Sequence, residues 1–93
     1  MLKTNEYFEG KVKSIAFDSK DGSATIGVME KGEYNFSTSS MEIMKVVSGA
    51  LKVVLPGEET AAIFLEGSSF QVDANKTFNV TVEEETSYIC FYK

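Results

Sequence analysis

Histidine, arginine and tryptophan are all absent from the 93-residue chain. Without histidine, the protein lacks the side chain that titrates closest to neutral pH and the commonest transition-metal ligand. Without arginine, it lacks the planar group that binds phosphate through two parallel hydrogen bonds. Any bound anion must therefore be held by lysine, by hydroxyl groups or by backbone N–H groups.

Positive charge is also scarce, since 9 lysines face 14 acidic residues and the net charge is -5. A polynucleotide partner requires a basic face, so we expect no nucleic acid polymer to bind. No window is apolar enough to cross a membrane, and the opening MLKTNEYFEGK lacks the core of a signal peptide. Cys90 is the only cysteine and cannot form an internal disulfide. We therefore expect a cytoplasmic protein without a membrane partner.

The length bounds the domain organisation. Ninety-three residues suffice for one domain and leave no room for a second, so residues 1–93 are predicted to form a single domain. A domain of this size either packs tightly or gains stability by association. We therefore expect a homodimer.

Short apolar or alternating runs recur along the chain, with turn residues between them. This pattern is typical of an all-β sandwich or barrel, and no long amphipathic helix is indicated. The runs at residues 11–17 and 24–29 should form a hairpin about residues 18–22. Those at residues 41–47 and 51–55 should fold about residues 48–50. About nine strands are predicted, at residues 11–17, 24–29, 33–38, 41–47, 51–55, 61–65, 69–72, 77–82 and 87–92.

The spacing of Gly32, Tyr34, Phe36, Glu42 and Gly49 is similar to the first motif of the cupin superfamily. That motif has a glycine, a His-x-His pair, a glutamate and, after six more residues, a second glycine. Here aromatic residues occupy both histidine positions, and only the glutamate remains as a metal-ligand position.

The second cupin motif is also matched in spacing. Five residues separate Gly67 from Asp73-Ala74-Asn75, and Phe78 stands where the motif has its third histidine. The chain thus resembles a cupin without its metal. The predicted fold is all-β, a single-domain cupin-type β-barrel of the double-stranded β-helix or jelly-roll kind.

A narrower resemblance runs from end to end. The segments LKTNEYFEGKVKSIAF, GEYNFST, VVSGALKVVLP, EGSSFQV and TSYICFYK resemble the small pyrimidine/purine nucleoside phosphorylases. The resemblance implies phosphorolysis of many purine and pyrimidine nucleosides, which is pentosyl transfer to phosphate. Inorganic phosphate would be the co-substrate, with no cofactor and no metal. One departure is Phe91, which stands where the family has an arginine before the final tyrosine.

Cleavage of an N-glycosidic bond needs groups that hold the ribose, donors for the departing base and donors for phosphate. Glu42 is the predicted catalytic residue, because a carboxylate inside an aromatic interior is desolvated and its pKa is raised. The predicted substrate-binding residues are Tyr34, Phe36, Thr38, Phe78 and Tyr88. The predicted phosphate-binding residues are Ser37, Ser39 and Ser40.

Each of these residues also has a plain structural interpretation. Glu42 could face water at a strand edge, the aromatic residues could be core, and the serines could form a solvated turn. Two other functions therefore stay open: a non-catalytic cupin that binds a small molecule, and a structural dimeric barrel with a filled interior.

Overall fold

The computed structural model describes residues 1–93 and contains ten β-strands and no helix. No helix that could cross a membrane is therefore present. The strands are β1 (Lys3–Tyr7), β2 (Val12–Ser19), β3 (Gly22–Met29), β4 (Gly32–Ser37), β5 (Glu42–Ser48), β6 (Ala50–Val54), β7 (Ala62–Leu65), β8 (Ser69–Val72), β9 (Thr77–Val82) and β10 (Thr86–Tyr92). They form a six-stranded sheet in the order β1-β2-β3-β10-β5-β8 and a four-stranded sheet in the order β4-β9-β6-β7.

All nine predicted strands are present, and the all-β prediction is confirmed. The hairpin about residues 18–22 is also confirmed, because β2 pairs with β3 from Val12↔Met29 to Ser19↔Gly22. The count was one short, because β1 was not predicted. This strand is polar and almost fully exposed, so it carries no alternating apolar signal. Its pairing with β2 at the edge of the sheet defines it as a strand.

The chain turns at residues 48–50 as predicted, but the two strands that flank the turn lie in different sheets. β5 pairs with β10 and β8, whereas β6 pairs with β9 and β7. Gly49 makes this crossover with φ +97°, a conformation that favours glycine. A Cβ atom at this position would lie 2.5 Å from the Thr86 hydroxyl oxygen, so the close approach also requires glycine.

The core lies between the two sheets and follows the alternation of each strand. β5 directs Met44 and Val46 inward, and β9 directs Phe78, Val80 and Val82 inward. Fourteen buried apolar residues form this cluster, and each fully buried aliphatic or aromatic side chain contributes about 1.5–3 kcal/mol. Lys45 is exposed on the opposite side of β5, as its position in the alternation predicts.

Thr86, the first residue of β10, is fully buried and connects this strand to the crossover. Its hydroxyl accepts a hydrogen bond from Ala50 N at 3.3 Å. It also lies 3.0 Å from the carbonyl oxygen of Ala50 and 2.9 Å from that of Glu84, to either of which it can donate. The six-stranded sheet is thereby joined to the start of β6.

We predict that Thr86→Val lowers the free energy of unfolding by about 1–2 kcal/mol, because the shape is kept while backbone groups lose a partner. The measurement is urea unfolding, with the midpoint expected to fall and the slope to stay constant. Thr77→Val, at an exposed position of β9, is the control and should change stability by less than about 0.5 kcal/mol. Equal losses in both variants would contradict this role for Thr86.

Candidate active site

A cavity of about 250 Å³ lies where β4 and the β1–β2 turn meet the inner face of the six-stranded sheet. β5 and β10 supply much of its polar surface, because their inward positions near the end of the sheet carry Glu42, Tyr88, Cys90 and Tyr92. Ser14 of β2 lines the cavity as well. No lysine is among the lining residues.

The other wall of the cavity is aromatic. The rings of Phe36 and Phe78 are stacked, with centroids 5.5 Å apart and planes inclined by 26°. Phe8 meets the edge of Phe36 at 5.4 Å and also packs against Tyr34 at 4.9 Å. These contacts create an aromatic wall next to the polar groups of β5 and β10.

Phe8 is held at the cavity by a strained turn. Phe8, Glu9 and Gly10 have φ values of +54°, +59° and +85°, which form a short left-handed segment between β1 and β2. A residue other than glycine in this conformation costs about 1–2 kcal/mol. Strain of this kind is frequent at functional sites, and here it places Phe8, whose side chain is 39% exposed, on the cavity wall together with Tyr7.

Glu42 is half-buried, and this desolvation raises the pKa of its carboxyl group. The Cys90 thiol donates a long hydrogen bond to Glu42 Oε1 at 3.5 Å, which acts in the opposite direction. Burial raises the pKa of Tyr88 to about 12, and it also raises the pKa of Cys90 and of Tyr92. At neutral pH the cavity therefore offers neutral donors next to a carboxyl group that retains its proton to a higher pH than usual.

Five of the predicted site residues meet at this cavity: Phe36, Ser37, Glu42, Phe78 and Tyr88. They come from four strands of the two sheets. Glu42 is half-buried at this cavity, as expected for a carboxylate in the aromatic interior, and its catalytic role stays a prediction. The solvent-facing interpretation of this residue does not fit the structure.

Four other predicted residues do not line the cavity. Tyr34 is buried behind the aromatic wall, where its hydroxyl donates to the carbonyl oxygen of Glu30 at 2.6 Å. The Thr38 hydroxyl donates to the carbonyl oxygen of Asp73 at 2.7 Å and accepts from Lys76 N at 3.0 Å, so it connects two loops. Ser39 and Ser40 lie in the loop between β4 and β5. Ligand contacts by these four residues stay predictions.

Several lining residues were missed by the sequence analysis. Tyr92 could have been found, because it alternates with Tyr88 and Cys90 on β10. No such signal marks Tyr7 and Phe8, because their placement depends on β1, which was not predicted. Asn35 has none either, because it points away from the core. Phe91 does not line the cavity, so the departure from the family pattern at this position lies on the other side of β10.

No group of three His, Cys, Asp or Glu side chains converges in the protein. Aromatic residues occupy three of the four positions that match cupin metal ligands, namely Tyr34, Phe36 and Phe78. Phenylalanine offers no metal-binding group, and the Tyr34 hydroxyl donates to the carbonyl oxygen of Glu30. Glu42, at the fourth position, accepts a hydrogen bond from the Cys90 thiol.

Solved structures of other proteins share this fold. A protein of unknown function from Vibrio parahaemolyticus superposes with a TM-score of 0.95 at 41% identity, covering 100% of this chain and 99% of that one. An RmlC-like cupin from Shewanella frigidimarina superposes with a TM-score of 0.75 at 20% identity, covering 96% of this chain and 80% of that one. The fold is therefore cupin-like, and the cavity makes this a small cupin-type protein with an aromatic site.

Sequence comparison identifies the family. Residues 2–92 match the sequence profile described as Pyrimidine/purine nucleoside phosphorylase. A protein of Cellvibrio japonicus named pyrimidine/purine nucleoside phosphorylase is 56% identical over 93 residues, and the alignment covers 100% of both chains. The chain belongs to the pyrimidine/purine nucleoside phosphorylase family, as the sequence resemblance predicted.

The raised pKa of Glu42 predicts a pH dependence of stability. Between the ordinary value of 4.5 and the raised value, the folded protein binds more protons than the unfolded chain, so stability falls as pH rises. Glu42→Gln cannot titrate and escapes this loss. We expect its stability relative to the wild type to increase with pH through that window and to level off above it.

The measurement is urea unfolding of both proteins at a series of pH values that starts below 4.5. Glu33→Gln, which removes an exposed carboxylate from β4, controls for the general effect of charge. A stability difference between Glu42→Gln and the wild type that is independent of pH would show that Glu42 is not desolvated.

Proposed function

We propose that this protein is a broad-specificity nucleoside phosphorylase. It would transfer the pentosyl group of purine and pyrimidine nucleosides to inorganic phosphate, releasing the free base and a pentose 1-phosphate. The observation that carries the proposal is the presence of the stacked Phe36–Phe78 wall and the half-buried Glu42 in one cavity. Membership of the family supports the same reaction.

Breadth of specificity follows from how the base would be held. Every base offers a π-face, so stacking on Phe36 and Phe78 attracts purines and pyrimidines without selecting among them. The hydroxyl group of Tyr88 would bind the sugar, whereas that of Tyr92 lies 3.0 Å from the Thr25 hydroxyl, a partner outside the cavity lining. Selection among bases would need donors and acceptors that match a base edge, and the aromatic wall supplies none.

In the proposed reaction Glu42 acts as the general acid. The bond between the anomeric carbon and the base nitrogen breaks, its electron pair stays on the nitrogen, and Glu42 supplies the proton. A phosphate oxygen forms the new bond to the anomeric carbon, and the proton of hydrogen phosphate restores Glu42. Phosphate is itself the nucleophile, so no covalent bond to the protein is required.

A non-catalytic small-molecule-binding protein is the second candidate. The observation that favours it is the absence of lysine from the cavity lining, since phosphate is commonly bound by a cation. A structural barrel with a filled interior is disfavoured by the cavity itself. For either candidate, the single buried thiol and the net charge of -5 support a cytoplasmic location without a polynucleotide partner.

Incubation with uridine or adenosine should release free base only when phosphate is present, and chromatography of the products measures both base and sugar phosphate. We expect Glu42→Gln to lower kcat/KM by about a hundredfold or more, because it cannot supply a proton. Glu33→Gln, on the outside of β4, should retain wild-type activity.

Absence of phosphate-dependent base release above the Glu42→Gln level, at high protein concentration, would overturn the proposal. If nucleoside then raises the melting temperature without any product, the non-catalytic binding protein is correct.

The outer side of the six-stranded sheet supports the expected homodimer, which we propose as well. Ile15, Ile26 and Ile89 form a continuous row across three strands. Ile26 and Val28 are 44% and 49% exposed, and Phe91 is half-buried on the same side. A two-fold axis places like surfaces together, so this apolar row is complementary to itself, and Lys45 opposite Ile89 and Lys13 opposite Val28 border it. Covering it with a second copy would remove this row from water.

We predict that the protein elutes with twice its chain mass of 10.2 kDa and that Ile26→Glu reduces this to one chain. The reason is that a buried carboxylate at the centre of the interface has no partner. Light scattering coupled to gel filtration measures the mass. Ile63→Glu is the matched control, because Ile63 is 65% exposed on β7 of the other sheet. A wild-type protein of one-chain mass would refute the dimer, and dissociation by Ile63→Glu alone would place its interface elsewhere.

A further inference from the structure

Four residues form one row across the six-stranded sheet. Asn5 of β1 pairs with Ser14 of β2. Ser14 in turn pairs with Gly27 of β3, and Gly27 pairs with Tyr88 of β10. Paired residues of neighbouring strands direct their side chains to the same side of a sheet. Ser14 and Tyr88 line the cavity and are only 4% and 6% exposed, so the row leads from the edge of the sheet to the proposed site.

Gly27 leaves room for the Tyr88 ring within this row. Glycine inside a strand often marks a place where another group approaches closely. A Cβ atom at Gly27 would lie 2.7 Å from the Tyr88 hydroxyl oxygen and 2.8 Å from the ring carbon that carries it, so the ring extends over β3. Directly paired residues have Cβ positions about 4.5–5.5 Å apart. The Tyr88 hydroxyl therefore lies beside the side chain of Ser14.

The hydrogen bonds along this row have a direction. The Asn5 amide donates from Nδ2 to Ser14 Oγ in a long bond of 3.4 Å. An amide nitrogen only donates, so the Ser14 proton is available for another partner. Burial raises the pKa of Tyr88 to about 12, and a side-chain hydrogen bond with Ser14 acts in the opposite direction, as expected when Ser14 donates to the phenolic oxygen. The Tyr88 hydroxyl keeps its own proton at neutral pH and can donate it to a ligand.

We propose that Ser14 is a positioning residue that orients the Tyr88 hydroxyl toward the substrate. Asn5 donates to Ser14, Ser14 donates to Tyr88, and Tyr88 donates to an oxygen of the bound pentose. The proposal rests on the proposed function, which places the sugar at Tyr88. Successive donors polarise one another, so the last proton of the row becomes a better donor. Without the donor from Ser14, the Tyr88 hydroxyl could turn its proton toward Ser14 instead.

The position of the row favours the sugar over the base as its ligand. The stacked Phe36 and Phe78 belong to β4 and β9 of the four-stranded sheet, whereas the row belongs to the six-stranded sheet. A base on the aromatic wall can direct its pentose to the other sheet, which also carries Glu42. Neutral hydroxyl groups bind sugar hydroxyls without the desolvation cost of a charge.

Asn5→Asp tests the direction of the row with almost no change in size. A carboxylate only accepts hydrogen bonds, so Ser14 would donate to it and the Tyr88 proton would turn to Ser14. We expect the dissociation constant of uridine, measured by calorimetry without phosphate, to rise about fivefold, the effect of one neutral hydrogen bond. KM should rise equally and kcat should stay constant. Asn79→Asp adds the same charge on β9 outside the cavity lining and should bind uridine normally.

Ser14→Ala should raise the dissociation constant by a similar factor, and it should have no further effect in a Tyr88→Phe background. Such non-additivity is expected if Ser14 acts through the Tyr88 hydroxyl. Thr25→Ala is the matched control and should bind uridine normally, since Thr25 is a buried hydroxyl that bonds to another tyrosine of β10 but lies outside the cavity lining. Additive losses from Ser14→Ala and Tyr88→Phe would overturn the proposal. If Ser14→Ala does not fold, Asn5→Asp on the edge strand decides alone, and unchanged uridine affinity in that variant would overturn it as well.

The outcomes separate this role from the proposed function. Phosphate-dependent base release with the same KM in Asn5→Asp and the wild type would overturn the role of Ser14 and leave phosphorolysis intact. Weaker uridine binding in Asn5→Asp and Ser14→Ala, with no base release by the wild type, would support the role of Ser14 and overturn the phosphorylase.

Discussion

The alternation of side chains along β10 is the constraint on which most of the structure depends. β10 lies inside the six-stranded sheet, between β3 and β5. Its inward side chains are those of Thr86, Tyr88, Cys90 and Tyr92. Thr86 supplies a buried hydroxyl at one end of the strand, and the other three supply polar groups of the cavity. Its outward side chains include Ile89 and Phe91, on the surface proposed for the dimer. One strand therefore connects stability, the site and association.

The strand pairing of β10 that stabilises the fold also positions the side chains of the site. A register shift between Ser87 and Tyr88 separates the Thr86 end of β10 from the end that carries the cavity. Close packing against β3 holds Tyr88 in place, since a Cβ atom at Gly27 would lie 2.7 Å from its hydroxyl oxygen. Glu42, opposite Tyr92 on β5, is held by the same pairing.

The chemistry available to this protein reflects the residue types that it lacks. Without arginine or histidine, its cavity contains a carboxyl group, a thiol and phenolic hydroxyls, and burial raises the pKa of each type. The thiol and the phenolic hydroxyls are therefore neutral donors near neutral pH, which suits a sugar and a stacked base.

The sequence by itself determined the strands and the faces of their residues, because alternation is a local property. It was sufficient to place Glu42 inside, Lys45 outside and Cys90 in the core, and the spacing of Gly32, Glu42 and Gly49 indicated the cupin-like fold. The tertiary structure alone decided which strands pair. It assigned β5 and β6 to different sheets, made a strand of the polar β1, placed Phe8 at the cavity and left one edge of β4 open. These features depend on contacts between residues far apart in the chain, which local periodicity does not encode.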